Sequence, residues 1–546
     1  MLIRGLLAGT VIVAGVTGAA GSAAADSGTV PVQYLNATGT VTPPTDAVYT
    51  GTSSGTSPVH VTLKVTQATA FGFDIESLVT DDTPGATISS NAPATDGDDN
   101  ALNGTIFWTD ENQETGTYTG TFAYASSGTY EVTDVVTDSN GATATVQVQV
   151  TTLGSEFTPV APTRVLDTRN GTGAAEGKVG KGAVVKLHVA GAKNIPATGV
   201  VAVVMNLTVT NASGAGFVTV YPSTDGTAVP NVSDLNYGPG QTVANLVTVP
   251  VGADGYVYLA NGGSTAGPID LVADVSGYYT HSATDQFETT SPERLLDTRN
   301  GTGAPTGKIP AGGTVKLQVA LDNNNLPPVG DISAIAVNVT VTNPNGNGFV
   351  TAYADGSSAP DASSLNYGRG QTIANNAIVP VGADGEIDLT NTMSGSGSTD
   401  LVVDVLGYYS SVSNFATAAF IPVAPSRVFD SRLDGAGQIQ TAVNYELALG
   451  DWDSTASELV LNTTVTNGTS NGFISLFGAG VPIPATSNVN WGKGQTLGNA
   501  ALVAPTGPKY DISVYSGGSN AGGVDVILDV YGYFQTTYTA IPCLDC

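Results

Sequence analysis

Arg164-Val-Leu-Asp167-Thr-Arg169 recurs as Arg294-Leu-Leu-Asp297-Thr-Arg299 and again as Arg427-Val-Phe-Asp430-Ser-Arg432. Each hexad opens a long segment, and each segment closes alike. The closings are Asp274-Val-Ser-Gly277-Tyr278-Tyr279, Asp404-Val-Leu-Gly407-Tyr408-Tyr409 and Asp529-Val-Tyr-Gly532-Tyr533-Phe534. A repeat of this length settles the architecture better than any local signal. It defines three sister units, residues 157–281, 287–410 and 420–535.

Between these ends the order of elements is kept. A strand around Asn206, Asn338 or Asn462 comes first. Gly216-Phe217-Val218-Thr219-Val220-Tyr221 and its counterparts at Gly348 and Gly472 follow a glycine-containing turn. Leu235-Asn236-Tyr237-Gly238-Pro239-Gly240-Gln241-Thr242 comes next, matched by 365–372 and 489–496. Alternation such as Phe217, Thr219, Tyr221 against Val218, Val220 is the period-2 signature of a strand. About eight short strands per unit predict an all-β chain of tandem antiparallel β-sandwiches, jelly-roll-like in the three repeats. Each unit is large enough to bury its own core. The linkers 282–286 and 411–419 are short, so the expectation is a semi-rigid rod of domains.

Bulk composition agrees with strands and turns. The chain has 546 residues with 68 glycines and only 12% charged residues, and 41% are hydrophobic. Val and Thr suit a pleated surface, while Gly and Asn supply the positive φ of tight turns. The formal net charge is −29. That field repels phosphate backbones and anionic membrane surfaces, so nucleic acid is excluded as a partner. Neutral glycans or cations suit it better.

Residues 1–25 read as a signal peptide: Arg4, a short apolar run from Leu6 to Val16, and Ala23-Ala24-Ala25 before Asp26. The expected location is secreted, in association with a cell surface, with no membrane span after cleavage. Two cysteines, Cys543 and Cys546, lie in the tail 536–546. With no second Cys or His pair nearby, a disulfide within the tail or to another chain is the expectation, ahead of a metal site.

Residues 26–152 differ from the repeats. Gly128-Thr-Tyr130-Glu-Val132-Thr-Asp134-Val135-Val-Thr-Asp138-Ser-Asn140-Gly141-Ala-Thr-Ala-Thr-Val146 reads as two strands joined at an Asn-Gly turn. This pattern resembles the last two strands of a polycystic-kidney-disease (PKD) domain, which implies an immunoglobulin-like sandwich. The three repeats resemble a unit of secreted actinobacterial proteins with the same opening and the same Gly-Tyr-[Tyr/Phe] end. That resemblance implies an accessory module with no agreed ligand.

Candidate chemistry centres on the hexads. Of eight arginines, Arg4 lies in the signal peptide and Arg369 stands apart; the other six are Arg164, Arg169, Arg294, Arg299, Arg427 and Arg432. Guanidinium favours bidentate pairing with a planar carboxylate. Asp167, Asp297 and Asp430 lie within the motifs, and Asp274, Asp404 and Asp529 on the closing strands. The expectation is a structural Arg–Asp clasp pinning the first strand to the last; a site for an anionic sugar or peptide carboxylate is the alternative. Asn236, Gln241 and Asn245, with Asn366, Gln371, Asn375 and Asn490, Gln495, Asn499, are candidate glycan-binding amides, or amides that satisfy buried backbone. The closing tyrosines could stack on a sugar. Asp96-Gly-Asp98-Asp99-Asn100 carries carboxylate spacing like the start of a calcium loop, without the later glutamate. A weak calcium site is therefore the one cofactor considered.

Catalysis is argued against by the sequence. His60, His188 and His281 do not recur among the copies, and no metalloprotease, nucleotide-loop or dinucleotide motif is present. The expected function is a non-catalytic multidomain binding or adhesion protein engaging cell-wall or extracellular glycan, or a cell-surface protein, by avidity. A structural spacer or assembly subunit of an extracellular layer is the alternative, and a secreted hydrolase with an unrecognised carboxylate pair the second.

Overall fold

The computed structural model describes residues 32–36, 50–52, 59–82, 87–96, 105–108, 115–124, 126–222, 228–323, 325–412, 414–449, 456–507, 509–518 and 520–536. The signal-peptide segment 1–25, the residues Asp98, Asp99 and Asn100, the side chain of Asp96, and Cys543 and Cys546 lie outside them. No helix occurs among the described residues.

Each repeat is a sandwich built on two four-stranded antiparallel sheets; in the third the outer sheet takes a fifth, parallel strand, and the inner sheets of the second and third repeats join where Phe287 pairs with Ala418. In the first repeat the eight strands are Glu156–Asp167, Val184–His188, Val200–Thr210, Gly216–Pro222, Leu235–Tyr237, Val243–Pro250, Tyr256–Gly262 and Asp270–Thr280. The inner sheet runs first–eighth–third–sixth and the outer sheet second–seventh–fourth–fifth. That strand order is a jelly roll, and the second and third repeats follow it. The first and last strands are therefore hydrogen-bonded neighbours, with Arg164 opposite Asp274. The described strands between Thr50 and Thr151 form a separate sandwich of a five-stranded and a three-stranded sheet. Its last hairpin, Thr129–Asp138 and Thr143–Thr151, turns at Gly141, whose φ of 86° favours glycine.

The repeats do not form a rod. Their inner sheets face one another around a pseudo-threefold axis and bury a common core. The third strands show why: Val200-Val-Ala-Val-Val-Met-Asn-Leu-Thr-Val-Thr210 is buried over Ala202–Thr208 and beyond without a solvent-facing row. One set of its side chains packs inside its own sandwich; the other faces the sister repeats. Ala202, Val204 and Leu246 of the first repeat, Ala334, Ala336 and Ile378 of the second, and Val460 of the third share that axial cluster. Strands buried on both faces read as near-continuous apolar runs. Short linkers constrain how far domains separate, not whether they lie in line or in a ring. The axis-facing row of each third strand is apolar in its first part, at Ala202 and Val204, Ala334 and Ala336, and Val460, and turns to Asn206, Asn338 and Asn462 beyond it; burial of the apolar part favours the ring.

At one end of the axis six aromatic rings close the core. Phe157 packs tilted against Tyr279, Phe287 against Tyr409 and Phe420 against Phe534 within the repeats, at centroid distances of 5.0, 5.0 and 5.4 Å. Between repeats Phe157 meets Tyr409, Phe287 meets Phe534 and Phe420 meets Tyr279, at 4.3, 4.3 and 4.5 Å. The Gly-Tyr-Tyr ending now has a reason. A Cβ on Gly277, Gly407 or Gly532 would overlap the ring of Phe157, Phe287 or Phe420. Tyr279 and Tyr409 are 2% and 1% exposed, with their hydroxyls hydrogen-bonded to each other at 2.6 Å. They are core residues and offer no platform to a sugar.

Candidate functional site at the end of the axis

The hexad arginines serve the sandwich. Arg164 donates through Nε and a terminal nitrogen to both oxygens of Asp274, at 2.9 and 3.2 Å. Arg294 grips Asp404 and Arg427 grips Asp529 in the same bidentate way. The second arginine of each hexad folds back on the aspartate two residues before it: Arg169 on Asp167, Arg299 on Asp297, Arg432 on Asp430, each with contacts of 2.8 and 2.6 Å. Hydrogen bonds from Arg169 and Arg299 hold Asp167 and Asp297 below the usual carboxylate range. Burial pushes Asp274, Asp404 and Asp529 upward against the pull of their arginines. The twelve clasp residues thus occupy one another. The clasp also touches its neighbour: Arg164 lies 3.8 Å from Asp361 of the second repeat, and Arg294 donates to the Ala485 carbonyl of the third.

The candidate glycan amides divide into two groups. Asn245, Asn375 and Asn499 are each 1% exposed and lie between repeats. Asn375 donates to Asn206 at 2.8 Å, Asn499 to Asn338 at 3.1 Å and Asn245 to Asn462 at 2.8 Å. Each also accepts a backbone N–H from a sister repeat: Leu246 to Asn375, Asn376 to Asn499, Ala500 to Asn245, all at 3.1 Å. This ring of six asparagines is sealed from solvent, so these three residues are corrected from candidate ligand contacts to inter-repeat ties. Asn236 joins them, donating to Ser233 and to Thr464 of the third repeat.

Gln241, Gln371 and Gln495 stand differently. Register places their turns at the end of the axis opposite the aromatic cluster: Thr210 pairs with Asp270 and Val209 with Val243 there, while Val200 pairs with Thr280 at the aromatic end. Each glutamine caps its own turn, its Oε1 accepting the N–H of Gly238, Gly368 or Gly492 at 2.7, 2.9 and 2.7 Å. Oε1 is thereby engaged, and the Nε2 of each finds no partner among the described residues. All three are half-buried.

Two adjoining clefts open beside these turns. One, of about 720 Å³, runs between the first two repeats and is lined by Gln241, Phe349, Asn366, Tyr367, Gln371 and Met393, among others. The other, of about 1000 Å³, lies towards the third repeat and carries Gln241, Arg369, Gln371, Phe473, Trp491 and Gln495. Asn490 and Tyr515 border the second cleft too. The rings of Phe349, Phe473 and Tyr515 are half-buried, with Phe473 and Tyr515 tilted at 6.2 Å. Arg369, the arginine that belongs to no hexad, sits in this second cleft with its backbone N–H on Asn347. Amide donors beside aromatic faces in an open groove can bond hydroxyls and stack on sugar rings. The clefts were not legible in sequence because each draws residues from more than one repeat.

Asp355, Asp384 and Glu386 are the acidic group close enough to hold a cation among the described residues. Lys316 already pairs with Asp355 and holds it at about 2, which offsets one of the three carboxylate charges.

No family model matches the chain, and no curated protein matches it. Among solved structures it is similar to a chain of an archaeal virus described by its triple jelly roll fold and turret assembly, with 10% identity and a TM-score of 0.14, over 70% of this chain and 90% of that one. It is also similar to Paenibacillus xanthan lyase, at 13% identity and a TM-score of 0.15, over 65% of this chain and 36% of that one. A chain of infectious bursal disease virus, Gx strain, gives 9% identity and a TM-score of 0.14, over 92% and 85%. The jelly-roll assignment therefore stands on the strand order of this chain itself.

Proposed function

We propose that the protein is a secreted, non-catalytic binding protein that holds an extracellular glycan in the axial clefts. The observation that carries the reading is the set of three Nε2 groups, on Gln241, Gln371 and Gln495, each from a different repeat and each without a protein partner among the described residues. Because the three repeats surround one axis, their amides address one polysaccharide chain together, rather than three ligands along a rod. The net charge of −29 favours a neutral chain over a polyanion.

The test is retention on cell-wall polysaccharide, peptidoglycan and neutral exopolysaccharide, read for the full chain and for Gln241→Glu, Gln371→Glu and Gln495→Glu. Glutamate keeps the Oε that caps the turn and removes the N–H donor, so the fold is left intact. Each substitution is expected to weaken binding roughly fivefold, the worth of about 1 kcal/mol for a lost hydrogen bond. Retention on none of these polymers, or a triple variant that binds as well as the parent, would contradict the reading.

A further inference from the structure

The second strand of each repeat is the margin of its outer sheet. Val184–His188 and Thr314–Gln318 have a paired strand on one side only among the described residues. Val443–Ala448 has one on both sides. Val32–Asn36, from the far N-terminal part of the chain, pairs with it in parallel over five residues, from Val32 opposite Asn444 to Asn36 opposite Ala448. An unpaired strand edge is a template for another chain, and proteins guard such edges with lysine.

The guard is present on two edges and missing on the third. Lys186 faces Tyr258, and Lys316 faces Asp388, at the same step of the sheet. The residue at that step in the third repeat is Glu446, opposite Ser513. Leu35 packs on the third repeat's core, in register with the fully buried Leu447. So the edge that lost its lysine is the edge that receives a strand, and that strand supplies an apolar anchor.

We propose that this edge is a strand acceptor whose occupant is exchangeable, so that Val32–Asn36 of a second copy fills it and links chains. Five residues of pairing and one apolar anchor make a small contact for a chain to give up. Residues 37–49 separate the strand from the next one, which begins at Thr50. Fully extended, that stretch reaches roughly 45 Å, enough to cross to an adjacent molecule. Reciprocal exchange between two copies closes a two-fold dimer, and exchange passed on to further copies yields larger rings or filaments. The guarded edges of the first and second repeats stay out of the assembly.

The experiment uses the full chain with Cys543→Ser and Cys546→Ser. Tyr34→Cys marks the donor and Glu446→Cys the acceptor, residues in register across the two strands. A chain carrying both substitutions is expected to close a bond within itself. Donor-only and acceptor-only chains, mixed at high concentration and oxidised, are expected to give a mixed dimer at least tenfold more abundant than the same donor mixed with Lys186→Cys or Lys316→Cys chains. The proposal is overturned if the doubly substituted chain fails to close, if the donor–acceptor mixture stays monomeric, or if all three acceptors trap equally.

Discussion

The arginine clasp and the asparagine ring both recur three times, and both are polar sets within a largely apolar body. They differ in reach. Arg164 and Asp274 lie on neighbouring strands of one repeat, and their bidentate bond closes that repeat. Asn206 and Asn375 lie in different repeats, and their bond closes the ring. Recurrence shows that a position is needed in each copy; it does not show whether its partner lies in the same copy or in the next.

The comparison can be broken at either set. Arg164→Met should be the more damaging change, since it leaves the Asp274 carboxylate buried without its cation. The expected cost is about 3 kcal/mol in denaturant unfolding. Asn375→Leu orphans the Leu246 N–H and the Asn206 amide, and should cost about 2 kcal/mol. A double-mutant cycle sharpens the distinction. Asn206→Ala with Asn375→Ala should be non-additive although the residues belong to different repeats, whereas Arg164→Met with Asn499→Ala should add.

Acidity separates the sets further. The folded state holds Asp167 and Asp297 below their unfolded values, so the stability they contribute is present above about pH 4 and lost as pH falls through the folded values. Asp234 and Glu458 run the other way, since burial pushes both up to about 8. They keep their protons more tightly when folded, so their contribution is full below about pH 4 and declines as pH rises towards 8. Thermal unfolding should therefore occur at a higher temperature at pH 5 than at pH 8. Asp234 caps the Val220 N–H at 2.6 Å; Asn488 does the same for Leu476 in the third repeat and Ser364 for Ala352 in the second. Asp234→Asn should thus stabilise the chain more at pH 8 than at pH 5, by a difference of at least about 1 kcal/mol. The smallest effect belongs to Gln371→Glu, expected within about 0.5 kcal/mol of the parent, because its cap is retained.

The strands of each repeat were legible because period-2 alternation and glycine turns are local. The clasp arginines stood out because arginine is otherwise nearly absent. The ring was not read, although one signal pointed to it: in the alternate row of Val200–Thr210 that carries Asn206, the first positions, Val200, Ala202 and Val204, are apolar, where a solvated face would be polar. The amides of Asn245 and Gln241 lie four residues apart and look equivalent in sequence. One ends on a sister repeat and the other at an open cleft, and only the packing of whole domains separates them. Glu446 in place of lysine is a single-letter change whose meaning depends on a strand roughly four hundred residues earlier.

Small-angle scattering of residues 26–546 tests the central arrangement most directly, with data extrapolated to zero concentration. Three repeats sharing an axial core should give a radius of gyration near the compact-globule value of about 24 Å, raised slightly by the N-terminal sandwich. Four domains strung in a line would give about 40 Å by the same scaling, and that result would contradict the account.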